Sequence, residues 1–121
     1  MSSVITPAQV EQKLVQLSRD YDQAHEQLEN AEMEYARTKS AYELTIARAR
    51  LRIGQLGLES GQKLTVQEKD DRALVQSAES FTAHNIAEAL VKSARANATR
   101  LRTQIDITRS VGTAVRAALD L

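Results

Sequence analysis

This 121-residue sequence predicts an all-α fold: a long antiparallel helical hairpin of coiled-coil type, assembled with further copies of itself. Three observations lead there. The composition is rich in Ala, Leu, Glu, Gln, Arg and Lys, with four glycines and one proline. From Val10 to Tyr42 a heptad seam runs without a slip. Near Gly61 a polar, glycine-containing stretch separates two long helical segments.

The seam comprises Val10, Leu14, Leu17, Tyr21, Ala24, Leu28, Ala31, Tyr35, Thr38 and Tyr42, spaced alternately by four and three residues. Residues recurring every 3.5 positions keep one narrow stripe of a helix facing a partner. Its two rows differ in size. Leu14, Tyr21, Leu28, Tyr35 and Tyr42 are large, whereas Ala24, Ala31 and Thr38 are small, so a neighbouring helix can approach closely between the large side chains.

Thr6-Pro7-Ala8-Gln9 reads as the helix start, with Thr6 and Gln9 able to satisfy each other's freed N–H groups and Pro7 at a tolerant position. The first helix is expected from about residue 7 to about residue 56. Beyond Tyr42 the seam shifts by one residue to continue through Ile46, Ala49, Ile53 and Leu56. Leu44, Leu51 and Leu58 form a second row, expected to widen the buried face. A turn over about 57–64 follows, centred on Gly61. Thr65-Val66-Gln67-Glu68 then matches a capping box and opens a second helix over about 66–118. Its apolar positions (Leu74, Ala78, Phe81, Ala87, Leu90, Ala94, Leu101, Ile105, Val111, Val115 and Leu119) repeat more loosely, with bends expected at His84-Asn85 and Gly112. The length suits one domain.

Charge tests the hairpin independently. Sixteen basic and sixteen acidic side chains cancel overall, yet they are segregated along the chain. Residues 1–36 carry seven acidic against two basic groups, and residues 37–63 carry six basic against two acidic. Residues 64–88 carry five acidic against two basic, and residues 89–121 six basic against two acidic. Folding at Gly61 sets each acidic block beside a basic one. Exposed pairs contribute only a few tenths of a kcal/mol each, so this matching selects register more than it stabilises.

The absence of cysteine excludes disulfides and thiolate metal sites and fits a reducing compartment. No signal-peptide pattern and no apolar run of membrane-spanning length is present, so a soluble, cytoplasmic protein without a membrane partner is expected. His25 and His84 are the only histidines, one per helix, and read as solvated helix residues. There is no HExxH, no phosphate-binding glycine loop and no nucleophile elbow. Neither catalysis nor a metal or cofactor is expected.

Two basic features could bind an anion. Arg48, Arg50 and Arg52 form a dense cluster close to the turn, where Lys63 follows. Arg95, Arg102, Arg109 and Arg116 recur every seven residues on one face of the second helix, one turn after Lys92. Such a stripe could track a phosphodiester backbone, or it could pair with Glu26, Glu29, Glu32 and Glu34 within or between subunits. Tyr35 and Tyr42 could stack on bases, but their seam positions make them packing residues first.

Arg48-Ala49-Arg50-Leu51, on a long helix before a polar glycine-containing turn, resembles the basic-Ala-Arg-Leu motif of the UvsY-type phage recombination mediators. The run from Leu101 to Arg116 also resembles the ending of small helical phage proteins of actinobacterial hosts, and the likeness in size and organisation covers about residues 20–118. This chain departs from the family in its longer, alanine-rich seam and in lacking an aromatic-rich stretch after the motif. The resemblance implies a closed ring of helical hairpins that binds single-stranded DNA, displaces a single-strand-binding protein and helps load a recombinase in a bacterial host cell. Arg48 and Arg50 match the family's basic pair; together with Arg52 they are the main expected phosphate contacts, with Lys63 and the arginine stripe as secondary candidates. The competing expectation is a structural or adaptor coiled coil, in which the charge blocks only direct assembly and no DNA is bound.

Overall fold

The computed structural model describes residues 4–120, which are almost entirely helical, with no strand among them. Helix α1 spans Pro7–Ser60, α2 Val66–Gln76 and α3 Ala78–Leu119. None is long and apolar enough to cross a membrane. The chain forms two compact units. One joins the residues up to Asn30 with those from Lys92 onward, and the other is Ala31–Val91.

The cap of α1 is reciprocal, as the residues require. The Thr6 N–H donates to Gln9 Oε1 at 3.0 Å, and the Gln9 N–H donates to Thr6 Oγ1 at 3.2 Å. At the other end α1 runs to Ser60, beyond the expected stop near residue 56. Gly54 and Gly57 do not end it, because a glycine ends a helix only where the backbone turns left-handed, and that happens at Gly61 with φ +71°. Thr65 caps α2 by accepting from the Glu68 N–H at 3.1 Å.

The expected second helix is two helices rather than one. It is interrupted at Ser77, where φ is −102° and ψ 12° and the N–H is shared between the carbonyls of Ala73 (3.0 Å) and Leu74 (3.1 Å). Helix α3 is continuous through His84-Asn85 and Gly112, where bends were expected.

In the unit containing both chain ends, Leu17, Ala24, Ala98, Leu101 and Ile105 form a buried cluster flanked by Leu14 and Tyr21. Val10 is buried against Gly112. In the Ala31–Val91 unit, Ala49, Ile53 and Ala73 form a second cluster, joined by Ile46 and Leu64. Tyr35 and Tyr42 pack on His84, and Tyr42 also on Phe81. The row of the α1 seam that carries the small residues is the better buried one: Val10, Leu17, Ala24 and Thr38 are inside and Ala31 is half-buried, while Leu14, Tyr21, Leu28, Tyr35 and Tyr42 are half-buried at its edge.

Helices α2 and α3 depart from the expected apolar pattern. Their inward stripe is Ala73, Ser77, Ser80, His84, Ala87, Val91, Ala94, Ala98, Leu101, Ile105, Thr108, Gly112 and Val115, all buried or half-buried and spaced alternately by four and three. This seam is as regular as the first. It is hidden in the sequence because Ser, His, Thr and Gly occupy positions that a hydrophobicity pattern leaves unmarked. Conversely Leu74, Phe81, Leu90, Val111 and Leu119, taken as part of the apolar pattern, are exposed. Leu44, Leu51 and Leu58 do not widen the buried face of α1. They are 52%, 70% and 87% exposed, and Leu56 is exposed as well.

Candidate nucleic-acid-binding surface

Arg48, Arg50 and Arg52 lie on α1, and all three are exposed. Ala49 and Ile53, interleaved with them, are fixed in the cluster with Ala73, so the backbone bearing the arginines is held from its inner side. At about 100° per residue, Arg48 and Arg52 share a face, about 40° apart, and Arg50 turns away from both. Arg50 Nε lies 3.5 Å from Asp70 Oδ1 on α2, an exposed ion pair. Arg48 and Arg52 have no ion pair among the described residues. Lys63 is exposed in the connection between α1 and α2.

Arg95, Arg102, Arg109 and Arg116 each follow a seam residue of α3 (Ala94, Leu101, Thr108 and Val115), so the stripe borders the buried face. Lys92 and Arg95 are engaged with other groups of the chain. Arg102, Arg109 and Arg116 are exposed, and among the described residues none of them forms an ion pair with an acidic residue of α1. Glu34 pairs instead within its own helix. Arg37 Nε donates to Glu34 Oε2 at 2.9 Å, and its Nη2 to Glu34 Oε1. That hydrogen bonding holds the Glu34 carboxyl below its ordinary range and raises the Arg37 guanidinium. The stripe belongs to the unit with both chain ends, whereas Arg48, Arg50, Arg52 and Lys63 belong to the other.

The aromatic residues are used in packing. Tyr35 and Tyr42 are half-buried, with ring centroids 5.1 and 6.0 Å from that of His84, and Tyr42 is 5.4 Å from Phe81. His84 is therefore not the solvated residue its sequence context suggested. It is half-buried, it lies parallel to the Tyr42 ring within 5°, and its Nδ1 is buried without a hydrogen-bond partner. Only its place in the second heptad could have revealed this. His25 is exposed and meets the Tyr21 ring edge-on at 5.1 Å. Among the described residues, no group of three or more His, Cys, Asp or Glu side chains could hold a metal ion.

Comparison with family models, curated proteins and solved structures finds no match to this chain.

Proposed function

We propose that this chain is a non-enzymatic single-stranded DNA binder of the recombination-mediator kind, built as an antiparallel helical hairpin that assembles with copies of itself. The observation carrying the DNA reading is the pair Arg48 and Arg52: exposed, one turn apart on a braced helix, and without an ion pair among the described residues. Cations left unneutralised by their own fold are available to phosphates. Arg50, Lys63 and the exposed Arg102, Arg109 and Arg116 extend the surface. The hairpin is supported by contact order within each unit. In one, Tyr35 meets His84, Tyr42 meets Phe81 and Arg50 meets Asp70, so partner numbers fall as α1 advances. In the other, Val10 meets Gly112, and Ala24 shares a cluster with Ala98.

The resemblance of Arg48-Ala49-Arg50-Leu51 to the UvsY-type motif supplies the rest of the reading: a ring-forming assembly, and partnership with a recombinase and a single-strand-binding protein in the cytoplasm of a phage-infected bacterium. The test is fluorescence anisotropy on an unstructured oligonucleotide over a range of salt. Each lost phosphate contact on a single strand lowers the slope of log K against log salt by about 0.7, so the double variant R48A/R52A should flatten it by roughly 1 to 1.5. Absent or salt-insensitive binding by the wild-type protein would overturn the DNA reading. A structural coiled-coil adaptor would then stand in its place, a reading favoured by the exposed leucine row on α1.

A further inference from the structure

The leucine row left exposed on α1 belongs to a further, outer heptad seam of that helix. Ser40, Leu44, Ala47, Leu51, Gly54 and Leu58 follow one another at spacings of 4, 3, 4, 3 and 4 on α1. At about 100° per residue they lie roughly opposite the buried Ala49. All lie within the Ala31–Val91 unit. Ser40, Leu44, Ala47, Leu51 and Leu58 are exposed, and a Cβ built on Gly54 meets nothing within 4 Å. Over about 27 Å of helix this face is thus apolar or small, regular and uncovered. It repeats the alternation of the inner seam, with leucine in one row and Ser, Ala or Gly in the other.

The order of sizes identifies what covers it. Set antiparallel against itself about a two-fold axis level with Ala49, the segment places Ser40 against Leu58 of the second copy, Leu44 against Gly54, and Ala47 against Leu51. The three contacts then repeat in reverse. Every leucine meets a small residue, six layers in all, and no leucine meets a leucine. A parallel pairing would stack leucine on leucine and leave gaps at the small positions. Near the centre, Arg50 is already held by Asp70 of its own chain.

We propose that this outer face is a symmetric, antiparallel self-association surface: residues 40–58 of one copy pack on residues 40–58 of a second, leucine into small residue. The contact is isologous and closes as a two-fold. It brings the Arg48 side chains of both copies to one edge, doubling the proposed phosphate surface there. The inference rests on the self-assembly proposed above, but not on the DNA reading.

Gly54 provides the test. Replacing it by Leu fills space that is open within the chain and removes a poor helix former, so the isolated chain keeps or gains helix. In the paired state the same side chain collides with Leu44 of the second copy. G54L should therefore weaken association by about tenfold or more with helix content undiminished, read by analytical ultracentrifugation and circular dichroism. The orientation is read by crosslinking, since the chain has no cysteine of its own. Under mild oxidation a mixture of A47C and L51C chains should give the disulfide-linked dimer efficiently, and each variant alone should not. Self-association that survives G54L, or efficient crosslinking of each cysteine variant with itself, would overturn this surface while leaving self-assembly standing. A wild-type chain that stays monomeric at all concentrations would overturn both. Single-stranded DNA affinity, measured separately on wild-type protein, shows whether the DNA reading stands or falls apart from them.

Discussion

Ser77 shows how much a single position in this protein can hide. Its side chain is 1% exposed, and its hydroxyl is buried without a hydrogen-bond partner. A buried hydroxyl that loses water and gains no partner is costly. S77A should therefore stabilise the protein by about 1 kcal/mol, measured by urea denaturation, and a loss of stability would contradict this account. Thr38, on the facing seam, is also buried, but its hydroxyl donates to the Glu34 and Tyr35 carbonyls at 2.9 and 3.0 Å. T38A should accordingly lack the gain expected of S77A. A hydrophobicity pattern leaves Ser77 unmarked, and although it places Thr38 in the seam it does not show where either hydroxyl finds a partner.

Among the elements, the glycines separate local preference from packing. Gly57 lies inside α1, and a Cβ there would sit 3.6 Å from the Gln62 carbonyl oxygen, an ordinary contact. G57A should stabilise by about 1 kcal/mol through helix propensity. Gly112 lies inside α3, but a Cβ there would come within 2.9 Å of Val10 Cγ1, and a buried, β-branched valine has little room to yield. G112A should destabilise by about 1–2 kcal/mol despite the same propensity gain, because overpacking of a tight contact outweighs it. Opposite signs in thermal or urea denaturation would check both. The same distinction explains why α1 runs past residue 56 to Ser60: three glycines stand near its end, and only Gly61 adopts a left-handed backbone.

At the scale of the whole molecule, the proposed hairpin can be tested one unit at a time. Ala49 and Ala73 are fully buried in one cluster, and Ala24 and Ala98 are buried in the other. The double variants A49C/A73C and A24C/A98C should each form an intrachain disulfide on mild oxidation, giving a faster-migrating monomer band on a non-reducing gel. Crosslinks only between chains would mean that the arms pair across subunits instead. The charge blocks suit either arrangement, since exposed ion pairs are weak and indifferent to chain connectivity. Arg50 pairs with Asp70 as the blocks suggest, whereas Arg102, Arg109 and Arg116 have no acidic partner among the described residues and Glu34 turns to Arg37.

Helical class, the Thr6 and Thr65 caps, the Gly61 turn and the first seam follow from the sequence by itself, because capping residues, a left-handed glycine and an apolar 3.5-residue repeat are local signals. The exposed positions of Arg48, Arg50 and Arg52 also follow, since they flank Ala49 and Ile53 of that repeat. Tertiary structure alone decided the second seam, the half-burial of His84 and the exposure of Leu44, Leu51 and Leu58. The reason is that burial belongs to a pair of surfaces. Small side chains such as Ser77 and Gly112 go inside because a facing helix approaches there, whereas leucines stay outside wherever a single chain has no second surface to offer them.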